Sequence, residues 1–193
     1  MNYKKILEKM QDLFQNPSAV WEKIEQEYVK STFSILKDYF LIFYLLIPIA
    51  VTLKQFFVFK SIQILAYQGI ILPAIAITTY LFVLYILSIV LEEAAEFMGG
   101  HAGSYAGVKL SFFSGLPFLC MVILSVIPYI GVFLALTGLI YQIALIYAGA
   151  ETLLKIPAKR KWFWIFSIIL SFGLLLFLFF LVAFIISILL NLI

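Results

Sequence analysis

Apolar positions recur at spacings of three and four along the start of the chain, at Tyr3, Ile6, Leu7, Met10, Leu13 and Phe14, with Lys4, Lys5, Glu8, Lys9 and Asp12 between them. That period predicts an amphipathic helix. Asn16-Pro17 then supplies an N-cap and a first-turn proline for a second short helix, whose apolar face carries Val20, Trp21, Ile24 and Tyr28. Both helices are too short and too polar to span a bilayer. Residues 1–31 are therefore expected to lie as amphipathic helices in the headgroup plane, with Trp21 at the boundary.

Beyond residue 31 the polar alternation gives way to long apolar runs, which can be divided by the ~20 residues that a spanning helix needs. Five spans are expected within residues 32–193, at about 36–57, 64–91, 110–127, 129–150 and 162–191. Pro73 should interrupt the second and bend it. Pro128 should close a tight hairpin between the third and fourth. Trp162 and Trp164 fall at the start of the fifth, where an aromatic belt meets the headgroups. The fold expected is all-α: a polytopic membrane protein built as a five-helix transmembrane bundle with interfacial N-terminal helices.

Composition sharpens this picture. Of the 193 residues, 65% are apolar and 12% charged, more apolar surface than a soluble core of this size can hide, so the solvent is lipid. A net charge of +3 gives no reason to expect nucleic acid as a partner. Cys120 is the one cysteine, so no intrachain disulfide can form. Eleven Lys and Arg fall on one side of the predicted spans and only Lys54 and Lys60 on the other. By the positive-inside rule the N-terminus is cytoplasmic and the C-terminus outside. The weight of lysine over arginine points to an AT-rich prokaryotic genome, and the location expected is the prokaryotic cytoplasmic membrane.

Candidate chemistry gathers at the cytoplasmic mouth. Glu92, Glu93 and Glu96 lie three and four apart, His101 follows in the loop Gly99-Gly100-His101-Ala102-Gly103-Ser104-Tyr105, and Glu151 closes the fourth span on the same side. These carboxylates and the imidazole suit a divalent cation, although their spacing matches no metal motif. The alternative is that these acids pair with Lys109, Lys155 or Arg160 or stay hydrated. Within the spans, Gly107, Ser111 and Gly115 form a small-residue face for close helix packing. Gln142 is placed to hydrogen-bond across helices at the depth of Thr78 and Thr79. No nucleophile elbow, phosphate loop or zinc-protease motif is present, no cofactor is implied, and the chain is not expected to be an enzyme.

Three groups of residues share an order with a known family. They are Asn16-Pro17-Ser18 followed by Trp21 and Ile24; Gly99-Gly100, Lys109 and a helix broken at Pro117; and Ile127-Pro128 leading to Tyr141-Gln142 and Gly149. In this order the chain resembles the Yip family of Ypt/Rab-interacting membrane proteins, and specifically its short prokaryotic branch. In eukaryotes the resemblance would imply Golgi and ER proteins that contact prenylated Rab GTPases and one another. This chain lacks the acidic aspartate-leucine-tyrosine-glycine-proline type segment ahead of its first span. The resemblance thus implies a non-enzymatic scaffold with lipid, its own copies or a cytoplasmic protein as partner. A transporter or channel with an acidic cytoplasmic mouth is the alternative.

Overall fold

A computed structural model of the chain describes residues 3–58, 70–124 and 130–169. Two short helices come first, α1 (Tyr3–Gln15) and α2 (Pro17–Gln26). Asn16 joins them as expected: its side chain accepts from the Ala19 amide at 3.4 Å, and Pro17 occupies the first turn, where a missing N–H costs nothing. The next rod, α3, consists of Thr32–Ile35, a π-helical turn Leu36–Phe40 and Leu41–Val58. Its wide turn carries the buried rings of Tyr39 and Phe40. Then follow α4 (Leu72–Phe97), α5 (Ala106–Leu124), α6 (Gly131–Leu153), a 3-10 turn Ala158–Arg160, and a last helical stretch, α7, over residues 161–169.

Four of these elements contain spans long and apolar enough to cross a membrane: Thr32–Leu53, Pro73–Phe97, Ala106–Leu124 and Phe133–Leu153. They overlap the first four predicted runs; the largest difference is in the second, predicted at 64–91, of which residues 64–69 lie outside the described residues and whose helix runs on to Phe97. The fifth predicted span lies outside the described residues beyond its helical start, and so does the hairpin at Pro128. Pro73 stands in the first turn of α4, just after π-helical Ile70 and Ile71, and residues 64–69 of the second predicted span, ahead of it, lie outside the described residues. Pro117 does differ from expectation: it sits within an α5 that continues to Leu124.

The bundle is built around α5. Two-thirds of its spanning window (67%) is buried, against 28 to 33% for the other three. A helix covered on all sides needs no amphipathic stripe, and α5 has none: Gly107, Lys109, Ser111, Ser114 and Gly115 are buried beside Phe112, Phe113 and Leu116. Helix α4 covers one flank. A side chain at Gly107 would strike the backbone oxygen of Ser88, and one at Gly115 would come within 2.7 Å of the Tyr80 hydroxyl. Ser111, between them, is fully buried. Helix α6 covers the other flank, with Gly138 against Phe118 and Met121.

The first two helices do not spread over a surface. Trp21 is fully buried, its ring so close to Gly149 that a Cβ there would lie 2.7 Å from Cε2, with Leu110 equally near. The Tyr141 hydroxyl donates to the Leu13 carbonyl at 2.7 Å, Phe14 stacks on the Tyr141 ring, and Cys120 Sγ lies 3.7 Å from Met10 Sδ. Cys120 is fourteen residues into α5, roughly 21 Å along its axis, and Tyr141 is twelve residues from the end of α6, roughly 18 Å. Helices α1 and α2 thus form a hairpin that docks along α5 and α6 well into the spanning region. This corrects the headgroup-plane expectation. An amphipathic face is equally satisfied by a groove between helices, and here the bundle supplies one.

Candidate functional site

The loops before α3, between α4 and α5, and after α6 meet at one end of the bundle. The turn out of α4 is set by local sequence: Gly99 adopts φ +81, its amide donates to Glu96 O at 3.0 Å, and the Gly100 amide donates to Ala95 O at 2.8 Å. This is a Schellman cap, and glycine at Gly99 avoids the Cβ penalty of the left-handed region. Gly100 then runs against the end of α6, where a Cβ would lie 2.6 Å from Leu154 O. Arg160 donates to Met98 O at 3.1 Å, placing a cation at the C-terminus of α4.

Between these loops lies an open cleft of about 800 Å³. Its walls carry Glu25, Glu27, Lys30, His101, Lys109 and Lys155. Two lining residues hold left-handed backbone without being glycine, Tyr105 at φ 60 and Lys155 at φ 53. Each costs on the order of 1 kcal/mol, and such strain persists only where the surroundings impose it. The Tyr105 hydroxyl also donates to the Lys30 carbonyl at 3.4 Å, tying two of the three loops together.

Most of the charges here are spoken for. Lys155 pairs with the Glu25 carboxylate. Glu27 pairs with Lys9 and accepts from the Tyr39 hydroxyl at 2.8 Å, while the Lys9 ammonium sits 4.2 Å from the centre of the Phe113 ring. This cluster joins α1, α3 and α5 to the segment after α2. Lys109 is 6% exposed, and its ammonium donates to the Glu25 carbonyl oxygen at 2.9 Å.

The candidate ion ligands do not converge. Glu92 caps α5, accepting from the Gly107 amide at 2.7 Å, where a carboxylate also meets the positive end of the helix. Glu93 and Glu96 are exposed on α4, and His101 is exposed on the rim of the cleft. Glu151 pairs with Lys161 at 3.4 Å, neither Lys109, Lys155 nor Arg160 taking that part. Among the described residues no three His, Cys, Asp or Glu side chains are grouped to hold a metal.

The packing candidates are brought together more closely. Buried Gln142 accepts from the Tyr80 hydroxyl at 2.9 Å, a link between α6 and α4 that sequence spacing had assigned to the level of Thr78 and Thr79. Those threonines are exposed, and Thr78 instead meets Tyr44 of α3 at 3.1 Å. Of the membrane-interface tryptophans only Trp162 is exposed, at 70%; Trp164, like Trp21, is fully buried. Sequence reasoning missed Glu25, Glu27 and Lys30 as cleft residues because their partners are remote. The clue available was the density of charge just before α3, in a segment that then turns apolar.

The Yip1 domain family model matches residues 12–192. The chain belongs to the Yip family. No curated protein and no solved structure is matched by it. The match takes in the hairpin from Asp12 onwards as well as the spans, so the docked helix α2 is part of the family domain. Together with four span-length apolar helices it makes this an integral membrane protein in a lipid bilayer.

Proposed function

We propose that this Yip-family protein is a non-enzymatic membrane-organising scaffold that acts through helix packing and through protein or lipid contacts at its charged end. It sits in a prokaryotic cytoplasmic membrane, with that end and the N-terminus in the cytoplasm and the C-terminus outside, and associates with further copies of itself. One observation carries this reading: buried polar side chains of the bundle find their partners within the protein, across helices or on their own helix. Tyr80 binds Gln142, Tyr141 binds the Leu13 carbonyl, and Ser111 and Ser114 bond back to their own helix at Val108 and Ser111. Polar groups lining a transport route face water instead. The Yip family, in general non-enzymatic, agrees with this use of the fold.

Reconstitution tests it directly. Liposomes carrying the protein should show no flux of divalent cations, protons or small solutes, before or after replacing Glu92, Glu93 and Glu96 with Gln. A wild-type flux abolished by those replacements would make the protein a transporter with an acidic mouth. Mass determination in nanodiscs should return a defined oligomer.

A further inference from the structure

The cleft at the charged end contains an ammonium whose bonding is incomplete. Lys109 is more than nine-tenths buried, yet among the described residues it makes no ion pair, and one neutral carbonyl oxygen is the acceptor of its three N–H donors. A buried charge left in this state is costly unless a counter-charge arrives. Both carboxylates of the cleft are committed, Glu25 to Lys155 and Glu27 to Lys9. Lys30, exposed on the same cleft, likewise has no carboxylate partner among the described residues. Glu27 and Glu25 attract Lys109 through space, but each is bonded to another lysine, so four ammonium groups (Lys9, Lys30, Lys109 and Lys155) share two carboxylates here, with the imidazole of His101 and the hydroxyls of Ser104 and Tyr105 on the rim of the cleft.

We propose that this cleft binds a phosphate group, held by Lys109 and Lys30, and that its source is the headgroup of an anionic phospholipid. A phosphate offers several acceptor oxygens for the N–H donors of Lys109 beyond the one that the Glu25 carbonyl takes, and one to two negative charges against the local excess of two ammonium groups. The volume of about 800 Å³ falls within the range of small-ligand sites. Depth favours a lipid over a free anion. Lys109 is the fourth residue of the Ala106–Leu124 span, about 5 Å from its start, at the level of the headgroups. The strained backbones of Tyr105 and Lys155, on opposite loops, keep the cleft in one shape. The inference deepens the scaffold reading by naming a lipid contact, and rests on it only for the placement of the cleft at the membrane surface.

Native mass spectrometry of the purified full chain, titrated with phosphatidylglycerol or phosphatidylcholine, tests the site. The expected result is one saturable phosphatidylglycerol, preferred over phosphatidylcholine. K109Q should weaken it about tenfold and K30Q about threefold, as charge-assisted bonds of a buried and an exposed lysine would. K30Q alters an exposed side chain and keeps the test decisive if K109Q fails to fold. K23Q, on the docked hairpin away from the cleft, should change nothing. Glycerol 3-phosphate in millimolar excess separates the sources: lipid retained identifies the headgroup, and lipid displaced keeps the phosphate site but assigns it to a soluble ligand. Equal retention of both lipids, no loss with K30Q, or an equal loss with K23Q would overturn the proposal. Lipid binding is read without any flux, so its failure leaves the scaffold reading standing, and a flux found in liposomes leaves the lipid site standing.

Discussion

Helices α4 and α5 are similarly apolar and span the same bundle, yet one faces outward and the other is enclosed. Helix α4 exposes Ile75, Phe82, Tyr85, Ile86 and Ile89. Helix α5 buries Gly107, Ser111, Ser114 and Gly115 along with its large side chains. In water the larger apolar residues would mark the interior. In lipid, a Phe or Ile facing the tails loses nothing, so the interior goes to residues that let backbones approach and that bond across helices. Side-chain size and polarity, not hydrophobicity, separate the two helices.

The contrast can be broken most severely at Gly107. G107L would drive a side chain into the Ser88 backbone and the Glu92 side chain. Because a backbone cannot yield as a side chain can, the expected loss is about 3 kcal/mol or more, read as a large fall in the midpoint of unfolding in detergent. W21A comes next, with an expected loss of about 3 kcal/mol, because it opens a cavity between the docked hairpin and Gly149. Protease sensitivity of the first 30 residues should rise with it; an unchanged digestion pattern would argue against the docked hairpin. Y80F removes only the hydroxyl that Gln142 accepts and should cost about 0.6 kcal/mol by double-mutant cycle with Q142L. F82A, on the outward face of α4, should lie within about 0.5 kcal/mol of wild type. An F82A loss as large as that of W21A would mean that Phe82 meets protein and not lipid, and would point to a second copy packed on α4.

The acidic residues show a second difference, between helices and their ends. Glu92, one and four positions from its acidic neighbours Glu93 and Glu96, looks from spacing alone like part of a ligand set. In three dimensions its nearest task is to cap α5, fifteen residues further on. Helical spacing fixes which side chains share a face of one helix, but a ligand set needs side chains from several elements. A small-residue face such as Gly107, Ser111 and Gly115 follows from the period of one helix, and an ion site does not. The first face lies on one helix and meets one neighbour, whereas a cluster of Glu92, His101 and Glu151 needed three segments to converge.

Tryptophan illustrates the same limit. Trp162 is exposed, but Trp21 and Trp164 are enclosed, with no hydrogen-bond partner for their indole N–H groups among the described residues. The residue type marks an amphipathic side chain suited to an interface; it does not say whether that interface is with lipid or with another helix.

What the sequence determined by itself is whatever depends on near neighbours: four of the five expected apolar spans, the Asn16-Pro17 helix start, and the order of residues that marks a Yip-family chain. Run length and capping are local energies, legible within a few positions. Only the tertiary structure decided that α5 is central, that α1 and α2 dock as a hairpin along it, and that Lys109 meets the carbonyl of Glu25, 84 residues away in the chain. The physical reason is that lipid solvates any apolar face as well as protein does. Which faces meet is then settled by close packing and by a few polar contacts between distant segments, and neither leaves a periodic trace in the sequence.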